Sequence, residues 1–165
     1  NAETLRILNE KIKNREIEKF YLCIVHGRPT PPAGTLTGYI FKDAAKNQVY
    51  VRKESEKGAK TAITKYNTMD TRGSLSLVEC ELLTGRTHQI RAQMASAGHP
   101  LLGDGKYGRE KQNKAYGESS QALYSYRLRF AFKSDASLLN YLKDRAFSVQ
   151  YVDFVEKYFP GVHFH

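Results

Sequence analysis

The side chains best able to do chemistry collect in one stretch, Leu83-Thr84-Gly85-Arg86-Thr87-His88-Gln89-Ile90-Arg91. Here two guanidiniums, an imidazole and a carboxamide follow a glycine in close succession. The pattern reads as a strand that stops at Thr84-Gly85 and re-enters as a short helix, with Thr87 as its N-cap and Gly98, followed by Pro100, as its stop. At about 100° per residue, Ile90, Met94 and Ala97 share one arc of that helix, and His88, Arg91 and Ala95 another. One face can pack while the other presents a cation. Arginines at a helix start oppose the macrodipole, at a cost between a few tenths of a kcal/mol and about 1 kcal/mol. An anion facing Arg86 and Arg91 removes that cost: a phosphate on exposed amides, or a carboxylate taking a bidentate guanidinium pair. A lone arginine is ordinarily a surface ion pair; the clustering with Gly85, His88 and Gln89 sets these two apart.

The elements that must position this stretch follow from periodicity. Asn1 caps a helix that runs to about Asn14, with Leu5, Leu8 and Ile12 as its apolar face. Residues 18–25 alternate with apolar side chains on both faces, the mark of an interior strand. Residues 27–34, rich in Gly and Pro, form a loop. Residues 35–41 and 48–52 form a hairpin around 42–47, and 53–60 is a solvated turn. Strands at 61–67 and 74–83 lead into the central motif. Residues 99–116 read as a long glycine-containing loop carrying Lys106, Arg109, Lys111 and Lys114, able to lie on a phosphate backbone or simply to move. A strand at 121–132, a weaker one at 148–151 and a helix at 152–159, stopped by Pro160-Gly161, complete the chain. The fold expected is one α+β domain over residues 1–165, a mixed, mostly antiparallel sheet flanked by a few helices.

With 41% hydrophobic residues among 165, the chain can bury a core and disorder is excluded. No apolar run is long enough to span a membrane, and the amphipathic, charged residues 1–15 are no secretory signal. Cys23 and Cys80 are too few for a disulfide framework or a zinc site and read as buried thiols of a reducing, cytoplasmic compartment. The excess of 26 Lys and Arg over 17 Asp and Glu gives +9, which favours polyanionic partners.

The central stretch, together with Gly98-His99-Pro100-Leu101-Leu102-Gly103-Asp104-Gly105-Lys106-Tyr107-Gly108, resembles the signature of the RluA-type RNA pseudouridine synthases. A second element, Lys19-Phe20-Tyr21 running on to Gly27, is similar to that family's Lys-x-Tyr strand. The resemblance implies isomerisation of uridine to pseudouridine in ribosomal or transfer RNA, without cofactor or metal, by a monomer. It implies that Tyr21 stacks on the target uracil, as suits a base drawn out of RNA. It implies that Arg91 pairs with a catalytic aspartate, that Ile90 packs near the base, and that Arg86, His88, Gln89 and Lys19 shape the substrate site.

The aspartate is where the chain departs from the pattern. The family carries it in a His-Arg-Leu-Asp segment upstream of the helix that leads to the tyrosine strand, and no such segment lies between Asn1 and His165. The expectation is a C-terminal portion of a catalytic domain, inactive alone, with Asp104 belonging to a separate, structural element. A second reading is a non-catalytic RNA-binding protein on the same fold. A third, a phosphate-binding hydrolase using His88 with Asp104, is opposed by the lack of a Gly-rich phosphate loop, a metal-ligand cluster or a recognisable nucleophile turn.

Overall fold

Ile17–His26 (β1) is apolar on both faces and lies inside a sheet, as its alternation requires. The structure, a computed structural model, describes residues 1–164. Before β1 comes α1 (Ala2–Lys13); after it come β2 (Ala33–Asp43), β3 (Gln48–Arg52), β4 (Ala59–Arg72), β5 (Leu75–Leu82) and α2 (Gln89–Ser96). Then follow α3 (Glu110–Tyr116), β6 (Leu123–Phe130), a 3-10 helix (Ser137–Leu142), β7 (Ala146–Ser148) and α4 (Asp153–Tyr158). The strands form one seven-stranded sheet in the order β3-β2-β4-β5-β1-β6-β7, every neighbouring pair antiparallel. This is the α+β, antiparallel architecture expected from the pattern.

The two faces of the sheet carry separate cores. Phe20, Leu22, Ile24, Leu75 and Leu77 pack with α4 residues Val155 and Phe159 on one face. Cys23, Val25, Val78 and Cys80 pack on the other with Ile90 and Met94 of α2. The two thiols are fully buried and unpaired as a disulfide, their sulfurs 4.0 Å apart.

Asn1 does cap α1: its Oδ1 accepts the Thr4 amide at 2.8 Å. The buried face differs from the expected one. Leu5 and Ile12 are 60% and 48% exposed, while Ile7 and Lys11 turn inward, Lys11 to 1%. Lys11 goes inside because its charge is met there by Glu16, 3.4 Å away, and by the Ser134 hydroxyl at 2.8 Å. Long Lys stems bury well when the head finds partners.

The region 99–116 is more ordered than a loop. Leu101 bridges to Val25, and residues 110–116 form α3, closed by Gly117 at φ 71°. Some of its glycines are there for close approach: a Cβ on Gly108 would sit 1.9 Å from the Asp104 carbonyl oxygen, and one on Gly103 would sit 1.9 Å from that of Ser120. Among the described residues no helix is long and apolar enough to cross a membrane.

Candidate active site

The motif turn is built on one buried carboxamide. Gln89 donates from Nε2 to the Ile63 carbonyl at 3.0 Å and to the Thr64 hydroxyl at 2.8 Å. Its Oε1 accepts from the Thr84 hydroxyl at 2.8 Å and the Arg86 amide at 3.0 Å. These four bonds tie the turn after β5 to the middle of β4 and leave no unmet polar atom on Gln89. Gln93, one turn on, repeats the device: it accepts from the Thr64 hydroxyl at 2.7 Å and donates to the Ala62 carbonyl at 3.1 Å. Gln93 was legible only as a residue four positions from Gln89 on the same helix face.

The helix starts one residue later than its expected Thr87 cap. His88 occupies the N-cap in the left-handed region, φ 52°, with no capping side chain of its own. Gln89 reaching back to the Arg86 amide takes the place of a Thr87 cap. The C-terminus follows expectation: Gly98 at φ 92°, with His99 donating to Met94 and Gly98 to Ala95, closes a Schellman motif. Of the expected packing face, Ile90 and Met94 are buried and Ala97 is exposed.

Arg91 finds its carboxylate within the chain. It donates from Nε and Nη2 to Asp104 at 2.8 and 3.1 Å, and its guanidinium also lies 5.2 Å from the Tyr107 ring centre. Asp104, fully buried, further accepts the Lys106 and Tyr107 amides at 2.9 and 3.0 Å. Burial pushes the Asp104 carboxyl up, but Arg91 and the two amides outweigh it and hold the group below the ordinary aspartate value. The Asp104 hydrogen bonds raise Arg91 in turn. Asp104 thus locks the 101–108 loop onto α2, the structural part that its separate motif implied.

His88 points its Nδ1 at the Tyr107 hydroxyl, 2.9 Å away, and that hydroxyl accepts the Val49 amide at 2.9 Å. With the phenol oxygen already accepting, its hydrogen is free for Nδ1, which leaves Nε2–H as the ring's remaining donor. Partial burial, then Arg91 and Lys106, hold His88 below the ordinary histidine value.

Lys19 and Arg86 meet at a different place. A cleft of about 350 Å³ opens between the end of α1 and the β5–α2 turn, lined by Ile12, Arg15, Lys19, Leu82, Gly85 and Arg86 among others. Gly85 lies close to the Lys19 ammonium: a Cβ on it would be 3.4 Å away. Tyr21, two residues beyond Lys19 and on the same face of β1, is half-buried against the core cluster that contains Ile90. The carboxylates on the cleft are Glu18 and Glu81, and none of the described aspartates lines it. Burial, then Glu18, push Glu81 above its ordinary value. Of the expected site residues, Lys19 and Arg86 line the cleft, whereas Tyr21 packs with Ile90 in the core cluster, Gln89 holds the turn behind Arg86, and His88 and Arg91 turn toward the loop that carries Asp104 and Tyr107. Among the described residues no cluster of His, Cys, Asp and Glu could hold a metal ion.

Known proteins resemble this arrangement. A family model described as RNA pseudouridylate synthase matches residues 1–96. The chain is 38% identical over 104 residues to the uncharacterized RNA pseudouridine synthase YhcT of Bacillus subtilis, a match covering 62% of this chain and 33% of that protein. It is 38% identical over 108 residues to the ribosomal large subunit pseudouridine synthase D of Zymomonas mobilis, covering 64% and 32% respectively. Matches to the curated relatives take in about a third to two fifths of those proteins' length. The solved structure of human RNA pseudouridylate synthase domain containing 4 superposes with a TM-score of 0.71 at 20% identity, over 93% of this chain and 65% of that one, a likeness of fold.

Proposed function

The chain belongs to the RNA pseudouridylate synthase family, and from that membership we propose that its protein isomerises uridine in RNA to pseudouridine at the cleft between α1 and the β5–α2 turn. The observation that carries this reading is the meeting of the Lys19–Tyr21 strand with the Gly85-Arg86 turn beside that cleft. A uridine leaves its helix or loop, its base stacks on Tyr21, the N1–C1′ bond breaks, the uracil turns, and C5 bonds to C1′. The C5 proton leaves and a proton returns to N1, so the reaction balances without cofactor or metal. The carboxylate that acts as nucleophile or proton carrier is the aspartate of the family pattern.

In this reading Arg91, which does not line the cleft, orients that carboxylate from the α2 side of the site. With Nε and Nη2 held by Asp104, Nη1 is the nitrogen left to reach it. Arg86 binds at the cleft with Nη1 and Nη2, since its Nε is spent on the Thr61 carbonyl at 2.8 Å. Lys19 supplies further positive charge, and Ile90 supports the packing beneath Tyr21. Gln89 holds the turn in place, and His88 fixes the entry to α2. The substrate is ribosomal or transfer RNA, the ribosomal choice favoured by the name of the Zymomonas mobilis relative; the protein acts as a monomer in the cytoplasm.

A second reading is an RNA-binding protein without catalysis, in which the cleft carboxylates Glu18 and Glu81 take no part in chemistry. One assay separates them. RNA labelled with tritium at uracil C5 releases the label to water only when C5 changes partners. The complete protein is expected to release it; RNA binding without release would establish the second reading and remove the first.

A further inference from the structure

Gly85 and Arg86 line a second cavity as well as the cleft. It measures about 180 Å³ and is bordered by Lys42, Lys60, Arg86 and Thr87 above the apolar Ile40 and Val49. The sheet register explains why two lysines from different strands arrive there. Lys42 lies opposite Val49 and Lys60 opposite Ile40, and Ile40 and Val49 are buried with Ala92 of α2. Residues opposite one another share a face, so both lysines leave the sheet on the side that α2 covers.

These cations lack counter-charge. Among the described residues neither Lys42 nor Lys60 nor Arg86 has a carboxylate partner. Asp104 is engaged with Arg91, Glu56 with Arg52, and Asp43 with the Lys46 amide. Three like charges around one concavity repel one another and raise the local concentration of anions. A bound anion offsets the repulsion, with Lys42 and Lys60 as point charges, Arg86 as a fork and the exposed Thr87 hydroxyl as a further donor.

We propose that this cavity is a phosphate subsite for the RNA backbone, gripping a phosphodiester adjoining the nucleotide held in the cleft. Gly85-Arg86 is the shared wall, so one guanidinium serves both the nucleotide and its neighbouring phosphate. The inference rests on the reading of this chain as part of an RNA-modifying protein. A grip of this kind carries no sequence information and fixes register along the strand.

The test measures binding of a single-stranded oligouridylate to the complete protein over a range of salt concentrations. The variants are Lys42→Ala with Lys60→Ala, and, as a control of equal charge change, Lys133→Ala with Lys143→Ala, both exposed at the opposite edge of the sheet. Each lost phosphate contact on a single strand lowers the slope of log K against log salt by about 0.7, so the Lys42/Lys60 variant should lose about 1.4 and the control should keep its slope. Equal slopes for the Lys42/Lys60 variant and the unmodified protein would overturn the subsite. Calorimetry with inorganic phosphate is the second arm: weakened phosphate binding with unchanged oligouridylate binding would make the cavity a small-anion site and equally refute the RNA assignment. Tritium release reports separately on catalysis, so a protein that binds through Lys42 and Lys60 without releasing label keeps the subsite and loses the isomerase reading.

Discussion

Arg91 and Asp104 form a two-pronged pair, Nε to Oδ2 at 2.8 Å and Nη2 to Oδ1 at 3.1 Å, with the arginine 13% exposed and the aspartate 0%. Removing one partner of such a pair leaves the other charge stranded. Asp104→Asn should therefore destabilise the fold by about 3 to 5 kcal/mol, read as a lower denaturant midpoint. Because the folded-state value of Asp104 is depressed, its contribution is present above the unfolded value near pH 4 and fades as the pH falls through the lower folded value. The wild-type and Asp104→Asn stability curves should converge on acidification. Parallel curves would show that the charge pair is not the source of the loss.

The same pair bears on turnover. In the complete protein Arg91→Ala should depress tritium release far more than Lys111→Ala, an exposed helix-surface change. Arg91→Lys keeps the charge and loses the fork, and should recover only part of the rate. Equal effects of Arg91→Ala and Lys111→Ala would remove Arg91 from the site.

How much of this was legible beforehand depends on how local the cause is. β1 and β5 are written in short-range alternation, and Gly98 closes α2 through a local motif, so these elements were readable. The Thr87 cap failed because Gln89, from inside the helix, reaches back to the Arg86 amide. The buried face of α1 departs from its apolar periodicity for a similar reason: Lys11 is buried by Glu16 and Ser134, and Ser134 is far away in sequence. α3 has too little apolar periodicity to stand out from its glycine-rich surroundings. The site's residue types were plain in the motif, whereas the split between the cleft with Arg86 and the loop with Arg91 depends on where the 101–108 loop crosses α2.

Gln89 is a single point on which the turn depends. Gln89→Leu preserves approximate volume and leaves the Thr84 hydroxyl and the Arg86 amide without the acceptor they now share, while the Ile63 carbonyl keeps the Leu83 amide. A loss of about 3 kcal/mol is expected, since each stranded buried group costs about 1 to 3 kcal/mol and water reaches some of them. Hydrogen exchange should rise at the Arg86 amide before it rises in β4. Uniform loss of protection along β4 and β5 would place the effect in the whole sheet instead of the turn.

The latch between α1 and the 131–136 segment predicts a pH response of its own. Glu16 accepts the Lys133 and Ser134 amides at 2.7 and 2.9 Å and takes Lys11 as counter-charge. Burial pushes its carboxyl up, and those partners outweigh it and bring the value down to about 2. The folded value is the lower one, so the stabilisation is complete above the unfolded value of about 4.3 and is lost as the pH falls from there toward about 2. Glu16→Gln should flatten that part of the acid-unfolding profile and should expose α1 to proteolysis at neutral pH. An unchanged acid profile in the variant would refute the latch.

Tyr21 sets the sharpest test of the proposed chemistry because two substitutions separate its roles. Its ring is half-buried against the Ile90 cluster, so some structural loss accompanies any truncation. Tyr21→Phe keeps the π-face and the packing and removes only the hydroxyl, for which no hydrogen-bond partner exists among the described residues. If Tyr21 is the stacking platform, Tyr21→Phe should retain oligouridylate affinity close to that of the unmodified protein. Tyr21→Ala should weaken it by about 1 to 3 kcal/mol, roughly five- to 150-fold. A hydroxyl needed for proton movement would appear differently, as Tyr21→Phe with intact binding and lost tritium release. If both variants bind as the unmodified protein does, stacking on Tyr21 is wrong and the base rests on the residues that line the cleft itself.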